Sequence, residues 1–498
     1  MTLLLRLVAS TTSSFVNVHP VISWFILLVL LAVSYSTGWI VYNLFFHPLA
    51  SFPGPKANAA TSLPFFRSVL GGSLPMDAHK LHEKYGDVVR IAPNEVTFTN
   101  PEAWKEIFAI RPGKPQRPKD QRHVSVGPNH IPSILRTDDQ THALYRRALS
   151  PGFSEGSLQR QEVIVKGYVD LLVQRLHGLA ESDSATVDIT CWYNYTTFDI
   201  IGDLAFGESF GCLQNSQYHF WVSVIFSHFR TAAWANVLRR VPAGNFLMKW
   251  IVPKEVREQK KHQNKMTKEK VQARTENGDN GRPDFLSNVL KQPIEKRMTE
   301  DELVSNSYVL IIAGSETTAT LLKTQNGDPG AFTSEDQITW SAVNQLKYTL
   351  AVLNEGLRMY PPVPYGFPRM VEGKGDFICG RWVPGGTAVG VPILAAHRSA
   401  ANFKNPGAFI PKRFMGGPEF ESDNRNAVQA FSVGPRNCLG RNLAYAEMRL
   451  ILARIIWNFD MELTPDSKQW IKQPSFVVWE KGSLNVKLTP APHTIGGK

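Results

Sequence analysis

Apolar and polar positions divide this chain unevenly. From Leu7 to Pro55 there is no Asp, Glu, Lys or Arg, and within that stretch Val21 to Tyr42 is apolar and long enough to cross a bilayer as one helix. Trp24, Tyr35, Trp39 and Tyr42 supply aromatics of the kind that sit at membrane interfaces. A cleaved signal peptide has a shorter apolar core closer to the first residue, so a permanent anchor is the expectation. Arg6 before the span, and His47 and Lys56 after it, are too few to set its orientation by charge. Ser51-Phe52-Pro53-Gly54-Pro55 then predicts a stiff turn.

Past this hinge the periodicity is mostly helical. Thr299 ahead of Glu300, Asp301 and Glu302 reads as a helix start, and an apolar run follows through Leu310, Ile311 and Ile312. Leu346, Leu350, Leu353 and Leu357 form a stripe at helical spacing that Tyr360-Pro361-Pro362 ends. Asn442 to Leu452 consists of good helix formers. Strand patterns are few and short, at Val88–Ile91, Val96–Thr99, Phe377–Cys379 and Ala388–Val391. No internal repeat or low-complexity stretch interrupts the body. The expected organisation is an N-terminal segment over 1–20, a transmembrane anchor over 21–42, a proline-rich hinge over 43–56 and one domain over 57–498. The expected fold class is mainly α with small β-sheets, preceded by one transmembrane helix.

Composition changes this picture little. With 498 residues the chain can bury a large core. The net charge of +11 is spread along the chain instead of gathered in a tail. That argues against a nucleic-acid arm and fits an acidic protein partner or an anionic membrane surface. Cys191, Cys212, Cys379 and Cys438 show no paired spacing, so neither a disulfide framework nor a zinc site is indicated.

The most specific chemistry lies in Phe431-Ser432-Val433-Gly434-Pro435-Arg436-Asn437-Cys438-Leu439-Gly440-Arg441. Gly434 and Pro435 predict a tight loop, and Gly440 is expected to let the backbone turn close beside the sulfur. A helix follows, which puts Cys438 just before a helix N-terminus, where backbone N–H groups and the helix dipole favour a thiolate. Haem iron takes such a thiolate as axial ligand, and the donated electron density favours O–O cleavage. For an isolated cysteine, an ordinary buried thiol is the plainer reading. The whole string, however, resembles the pattern F-x-x-G-x-R-x-C-x-G of the cytochrome P-450 family, the haem-thiolate monooxygenases, with every fixed position matched. The resemblance implies heme b ligated by Cys438, Arg436 against a haem propionate, and Phe431 packed near the sulfur. Arg436 as a solvated charge is the plainer alternative.

Other segments extend the resemblance. Glu355 and Arg358 share a helical face, a pairing usually worth little at a surface. Glu355 to Arg358 resembles the family's E-x-x-R helix, and Pro411-Lys412-Arg413-Phe414 its P-x-R-F segment. The implied structure is a buried cluster of Glu355, Arg358 and Arg413 that holds the proximal loop, which survives only if fully paired. In Ala313-Gly314-Ser315-Glu316-Thr317-Thr318, Gly314 weakens a helix and the threonines can bond backbone carbonyls. A locally opened helix with the acid Glu316 beside the alcohol Thr317 is a candidate proton-delivery site, with mere tight packing as the alternative. The string resembles the family's A/G-G-x-E/D-T-T/S motif. His142 and Arg146, one turn apart, resemble its propionate-binding helix, His142 standing where Trp is common, and Arg369 resembles another propionate partner. Each of these three has the alternative of a solvated basic residue.

One segment departs from the family. Lys323-Thr324-Gln325-Asn326-Gly327-Asp328-Pro329-Gly330 carries turn signals where the family continues a long helix and forms another, so a deletion near 323–331 is expected. The resemblance otherwise implies an endoplasmic-reticulum enzyme with a cytosolic catalytic domain. It would draw two electrons from NADPH through a cytochrome reductase, with cytochrome b5 as a further donor. One atom of O2 would be inserted into an apolar small molecule, as in fungal secondary metabolism. Val124–Leu135, Phe220–Trp234, Tyr308–Ala313 and Val363–Phe367 are expected to line the pocket. A haem-binding but catalytically defective chain, or a haem-thiolate isomerase or dehydratase, is the alternative.

Overall fold

The computed structural model describes residues 20–123, 131–181, 186–242, 244–278, 281–293, 297–321 and 332–495. The expected apolar helix runs Pro20–Val41 (α1). At about 1.5 Å per residue it extends about 33 Å, the thickness of a bilayer's hydrocarbon core. The stretch Ile22–Phe46 is apolar enough to span, and the body buries none of its most apolar window.

The hinge that follows is docked on the body. Arg90, 1% exposed, donates from Nη1 to the carbonyls of Asn43 (2.9 Å) and Leu49 (3.3 Å) and from Nη2 to that of Pro93 (2.7 Å). The Asn43 amide donates to the Ala60 carbonyl at 3.0 Å, and the Arg90 N–H to the Pro53 carbonyl at 2.8 Å.

Helices that frame the site are α2 (Asp139–Leu149), α3 (Glu155–Ala180), α4 (Ile189–Phe206), α5 (Phe220–Leu238), α6 (Gly244–Ile251), α7 (Glu300–Leu321), α8 (Trp340–Val343), α9 (Lys347–Met359) and α10 (Arg441–Asn458). α4 is buried almost all round, as a helix at the centre of a large core must be. The Asp188 carboxylate caps its start by accepting from the Thr190 N–H, and Gly207 ends it in the left-handed region. α7 starts with a capping box. The Thr299 N–H donates to the Glu302 carboxylate (2.8 Å), and the Glu302 N–H donates to the Thr299 hydroxyl (3.4 Å).

α7 remains helical through Leu321, so the expected local opening at Gly314 is corrected. A Cβ on Gly314 would lie 2.4 Å from Ile201 Cδ1, and the glycine serves close packing of α7 on α4. The hydroxyls of Ser315, Thr317 and Thr320 bond the carbonyls of Ile311, Ala313 and Glu316 one turn back without breaking the helix.

The strands are β1 (Val88–Ala92), β2 (Glu95–Phe98), β3 (Thr186–Asp188), β4 (Arg369–Met370), β5 (Gly375–Ile378), β6 (Arg381–Pro384), β7 (Ala388–Gly390), β8 (Phe459–Leu463) and β9 (Asn485–Pro490). They form a four-stranded sheet in the order β1-β2-β7-β4, a three-stranded sheet β3-β9-β8 and the hairpin β5-β6. β2 and β7 are parallel, with Val96 opposite Val389. The main core gathers α3, α4, α7 and α10, and a smaller one lies under the four-stranded sheet.

The departing segment Lys323–Gly330 lies outside the described residues, as do 1–19 and Val124–His130 of the expected pocket lining. Between Leu321 and α9, the described helical pieces are a 3-10 turn at Glu335–Gln337 and α8. Ile338, Trp340 and Val343 are buried in the main core, and the Trp340 backbone N–H donates to Glu162 Oε1 (2.7 Å), so this flank is packed.

Candidate haem site

The cysteine loop is shaped by Gly434, with φ +78°. A Cβ there would lie 2.1 Å from the Phe108 carbonyl oxygen, so only glycine fits. Gly440 has an ordinary φ of −84° and open room for a Cβ, which corrects the expectation that its freedom lets the chain turn. Its contribution is the backbone N–H, which bonds the Cys438 sulfur. The Cys438 N–H in turn donates to the Phe431 carbonyl at 2.9 Å. The Phe431 ring packs against Tyr445 of α10, centroids 5.3 Å apart, and the Arg441 guanidinium lies over the same ring, 5.9 Å from its centroid.

Cys438 offers accessible surface, yet the protein around it is dense. Burial is the largest influence on the thiol and raises its pKa, against the Gly440 N–H, Arg146 and Arg441, which lower it. The expected lowering at the helix N-terminus is therefore outweighed. The thiolate state belongs to a metal-bound sulfur, because a coordinating cation removes the proton outright.

Behind the loop the Glu–Arg–Arg cluster forms as the resemblance implied. Glu355, Arg358 and Arg413 are fully buried. Arg358 donates to both Glu355 oxygens at 2.7 Å, and Arg413 Nε to Glu355 Oε1 at 3.1 Å. Arg358 also donates to the carbonyls of His397, Pro406 and Ala408, and Arg413 pairs with Asp423. The cluster therefore ties α9 to the chain entering the cysteine loop, and each buried charge has partners.

On α7, Ala313 is exposed and Thr317 half-buried, one turn apart on one face of the helix, while Ser315, Glu316 and Thr318 are buried. Glu316 does not share that face, since neighbouring helical residues point about 100° apart. It is fully buried, with the Lys481 ammonium 2.9 Å from its carboxylate. Lys481 also donates to the Glu316 carbonyl (3.2 Å) and Asn194 Oδ1 (3.3 Å). The acid and the alcohol are adjacent in sequence but are not brought into contact.

Four basic side chains gather where the resemblance expects propionates. Arg436 is buried at its side chain, not solvated. It pairs with Asp139 at 2.8 Å and donates to the Thr137 carbonyl at 2.7 Å, while its Nη1 has no partner. Buried Arg369 likewise has an unpartnered Nη1. Burial, then the Arg436 charge, lowers its pKa to about 10. Lys119, which bridges to Arg369, was not foreseen. Burial, then Arg369 and Arg436, holds its ammonium well below the ordinary range. His142 is buried and, lowered to about 4 by burial and then by Arg436, Lys119 and Arg146, is a neutral imidazole at physiological pH. Arg146 reaches the cysteine loop. Nη1 donates to the Asn437 carbonyl (2.6 Å) and Nη2 to Asn437 Oδ1 (2.7 Å), so it clamps the residue next to Cys438.

Two buried guanidinium nitrogens without acceptors, among mutually repelling cations, fit a ligand with two carboxylates. Together with the accessible thiol of Cys438 and the accessible positions Ala313 and Thr317 of α7, this donor set fits haem. Replacing both Lys119 and Arg369 with methionine is expected to weaken haem retention roughly tenfold to a hundredfold, the loss of one or two charge-assisted bonds. The cofactor-free chain should melt no earlier, since the repulsion is relieved. Haem transfer to an acceptor protein and thermal melting measure the two effects.

Among the described residues, Glu95, Asp120 and His123 also bring ligand-type atoms within 4.8 Å of one another. Arg240 sits among them, 2.8 Å from Glu95 Oε2 and 2.7 Å from His123 Nε2, and Arg122 pairs with Asp120 at 2.7 Å. Two carboxylates facing two guanidinium groups leave no need for a cation. Tyr365, in a segment expected to line the pocket, donates instead to Glu95 (3.3 Å).

Comparison with known proteins points the same way. The family model "Cytochrome P-450" matches residues 53–324 and 330–488, breaking where the sequence departs from the family's helix. The chain is 42% identical over 471 residues to cytochrome P-450 monooxygenase lcsI of Purpureocillium lilacinum, covering 90% of this chain and 91% of that protein. It is 42% identical over 476 residues to cytochrome P-450 monooxygenase astA of Talaromyces wortmannii, covering 92% and 96%. It is 41% identical over 475 residues to averantin hydroxylase of Dothistroma septosporum, covering 91% and 88%. With its cysteine loop, buried Glu–Arg–Arg cluster and cationic cradle, the chain belongs to the cytochrome P-450 family of haem-thiolate monooxygenases.

Proposed function

We propose that this chain is a membrane-anchored monooxygenase of fungal secondary metabolism that hydroxylates an apolar small molecule. The observation that carries this reading is the accessible Cys438 thiol in the loop that Gly434 and Arg146 shape, with the unpartnered nitrogens of Arg369 and Arg436 close by. Haem, when bound, supplies the activation of O2 and its insertion into a C–H bond. With haem bound, Cys438 would hold the iron as thiolate, and Arg436, Arg369, Lys119 and His142 would hold the propionate side. Thr317, on the accessible face of α7, orients water or substrate through its hydroxyl. Glu316 carries protons toward Thr317, which requires its carboxylate to leave Lys481.

Two electrons come from NADPH through a reductase that docks on the cysteine side, with cytochrome b5 as a further donor. The protein's basic balance suits an acidic partner. Hydroxylation is the reaction in the name of one relative, averantin hydroxylase, and is the step we assign to this chain. The apolar helix α1 supports a single-pass anchor, and the endoplasmic reticulum membrane with a cytosolic catalytic domain is the place we assign to it by family resemblance. Exposed Phe246, Leu247, Trp250 and Ile251 on α6 add an apolar surface suited to lipid.

The test is the reduced, carbon-monoxide-bound difference spectrum of the full-length chain. A band at the thiolate position is expected. Absence of any haem signal would overturn the assignment of a functional haem enzyme to this chain.

A further inference from the structure

The spanning helix does not run straight into the hinge. It ends in a π-helical turn, Tyr42–Phe46, where the His47 N–H donates to the Tyr42 carbonyl at 2.8 Å. This wide turn brings the His47 ring edge-on against Tyr42, centroids 5.6 Å apart. Trp39, one turn before Tyr42 and so on the same side of the helix, lies 6.0 Å from it. An aromatic girdle by itself asks for no particular lipid. Here the body closes the other side. Pro93 and Asn94, between β1 and β2, join Trp39, Tyr42, Asn43 and His47 around a cavity of about 460 Å³. That volume falls within the about 300–1,000 Å³ of small-ligand sites. The cavity shares no residue with the cysteine loop.

The lining selects by chemistry. Among the described residues, no carboxylate lines the cavity, and the indole and phenol rings offer faces that attract a cation. The Leu49 N–H donates to His47 Nδ1 at 3.1 Å, so the ring proton sits on Nε2, a donor suited to a phosphate oxygen. Burial, then the Arg90 charge, lowers the His47 pKa to about 4, so a neutral ring repels no cation beside it. The Asn94 amide is engaged with the Gly386 carbonyl at 2.6 Å. Asn43 is fully buried, and its Oδ1, without a donor among the described residues, adds the negative end of an amide dipole. A primary ammonium is best held by carboxylates and carbonyls on three sides, a quaternary ammonium by ring faces. This lining is of the second kind. The Arg90 charge close by favours a headgroup that brings a phosphate with its cation over a bare cation.

We propose that this cavity holds the headgroup of a phosphatidylcholine molecule, its quaternary ammonium against Trp39 and Tyr42 and its phosphate accepting from His47 Nε2. The depth fits. α1 is about as long as the hydrocarbon core is thick, and the cavity lies at its end, where headgroups lie. The acyl chains then run back along α1, whose Leu28, Leu31 and Tyr35 are exposed. Such a lipid fills the gap between anchor and body and belongs to neither the haem nor the substrate. The inference rests on the reading of α1 as a membrane anchor and is independent of the oxygen chemistry.

The experiment places the full-length chain in vesicles of equal parts phosphatidylcholine, phosphatidylethanolamine and phosphatidylglycerol and floats them on a density gradient. The chain is then extracted in mild detergent, washed, and its retained lipids are counted by mass spectrometry. In the parent protein, phosphatidylcholine should be enriched about threefold to tenfold over the other two, the size of one or two contacts between a cation and a ring. Trp39→Leu combined with Tyr42→Leu should abolish the enrichment. Tyr42→Phe should keep it, because the ring and not the hydroxyl holds the cation. Trp39 and Tyr42 are 49% and 41% exposed, so the body should fold in each variant. If the double variant does not, Tyr42→Leu against Tyr42→Phe decides the matter. Equal retention of the three lipids, no retained lipid, or an enrichment that survives the leucine substitutions overturns the proposal and leaves the anchor standing. A chain that does not float with the vesicles overturns the anchor reading and the proposal with it.

Discussion

Cys438→Ser is expected to lose the thiolate-position band of the reduced, carbon-monoxide-bound protein entirely. Monooxygenase turnover should fall roughly a thousandfold or more, equivalent to about 4 kcal/mol of barrier. The size follows from the sulfur's electron donation, which an alkoxide or alcohol oxygen does not supply to the O–O bond. The fold should survive, because the loop is held by groups other than the thiol. The Cys438 N–H bonds Phe431, Arg146 grips Asn437, and Gly434 nests against Phe108. Haem content, the difference spectrum and melting of the cofactor-free chain separate these effects. An unchanged band in the variant would mean that another cysteine ligates iron. Cys212 is buried at the start of a short helix and Cys191 donates to Asp188, so neither is poised for that role.

Glu355→Ala is expected to act on folding before it acts on chemistry. It leaves Arg358 with backbone carbonyls and no carboxylate, and Arg413 with Asp423, both side chains fully buried, and breaking a buried pair costs about 3–5 kcal/mol. Against a total stability of about 5–15 kcal/mol, that is enough to lose most folded, haem-loaded protein. Glu355→Gln should fare little better. Oε1 accepts from Arg358, Arg413 and the Ile410 N–H while Oε2 accepts from Arg358, and an amide nitrogen accepts from none of them. Soluble yield, the haem-to-protein ratio and thermal melting check the expectation. A Glu355→Ala chain with normal haem content would show that the loop is held without the cluster.

Sequence reading succeeded where chemistry depends on local spacing. Glu355 and Arg358 sit three apart on one helix, and the cysteine loop is a contiguous string, so both could be found without knowing the fold. Short apolar runs made the strands β1, β2, β5 and β7 legible, whereas β3, β4, β6, β8 and β9 were not expected, and β3, β8 and β9 pair across distant segments. Lys481 meets Glu316 from the C-terminal region, and Lys119 meets Arg369 across an irregular bridge, with no motif to announce either. The roles of Gly314 and Gly440 were misassigned because sequence tells that a glycine is present, not which neighbour crowds it. Gly434 is required by the Phe108 carbonyl and Gly314 by Ile201, whereas Gly440 has room. The raised thiol at Cys438 was missed because helix-terminus effects are local while burial is a property of the whole surroundings.

Arg90 bears on how such an enzyme would move. Its guanidinium staples the chain after α1 to the sheet, so the body is not a float on a loose string. A bilayer that held α1 would also hold the body at one tilt, and lateral drift would leave the same side turned to the lipid throughout. Encounters with a membrane-bound electron donor would then become a search in two dimensions between molecules already facing the right way. Loosening the staple, as in Arg90→Met, would restore tumbling and lower the frequency of productive collisions without touching a single residue near Cys438.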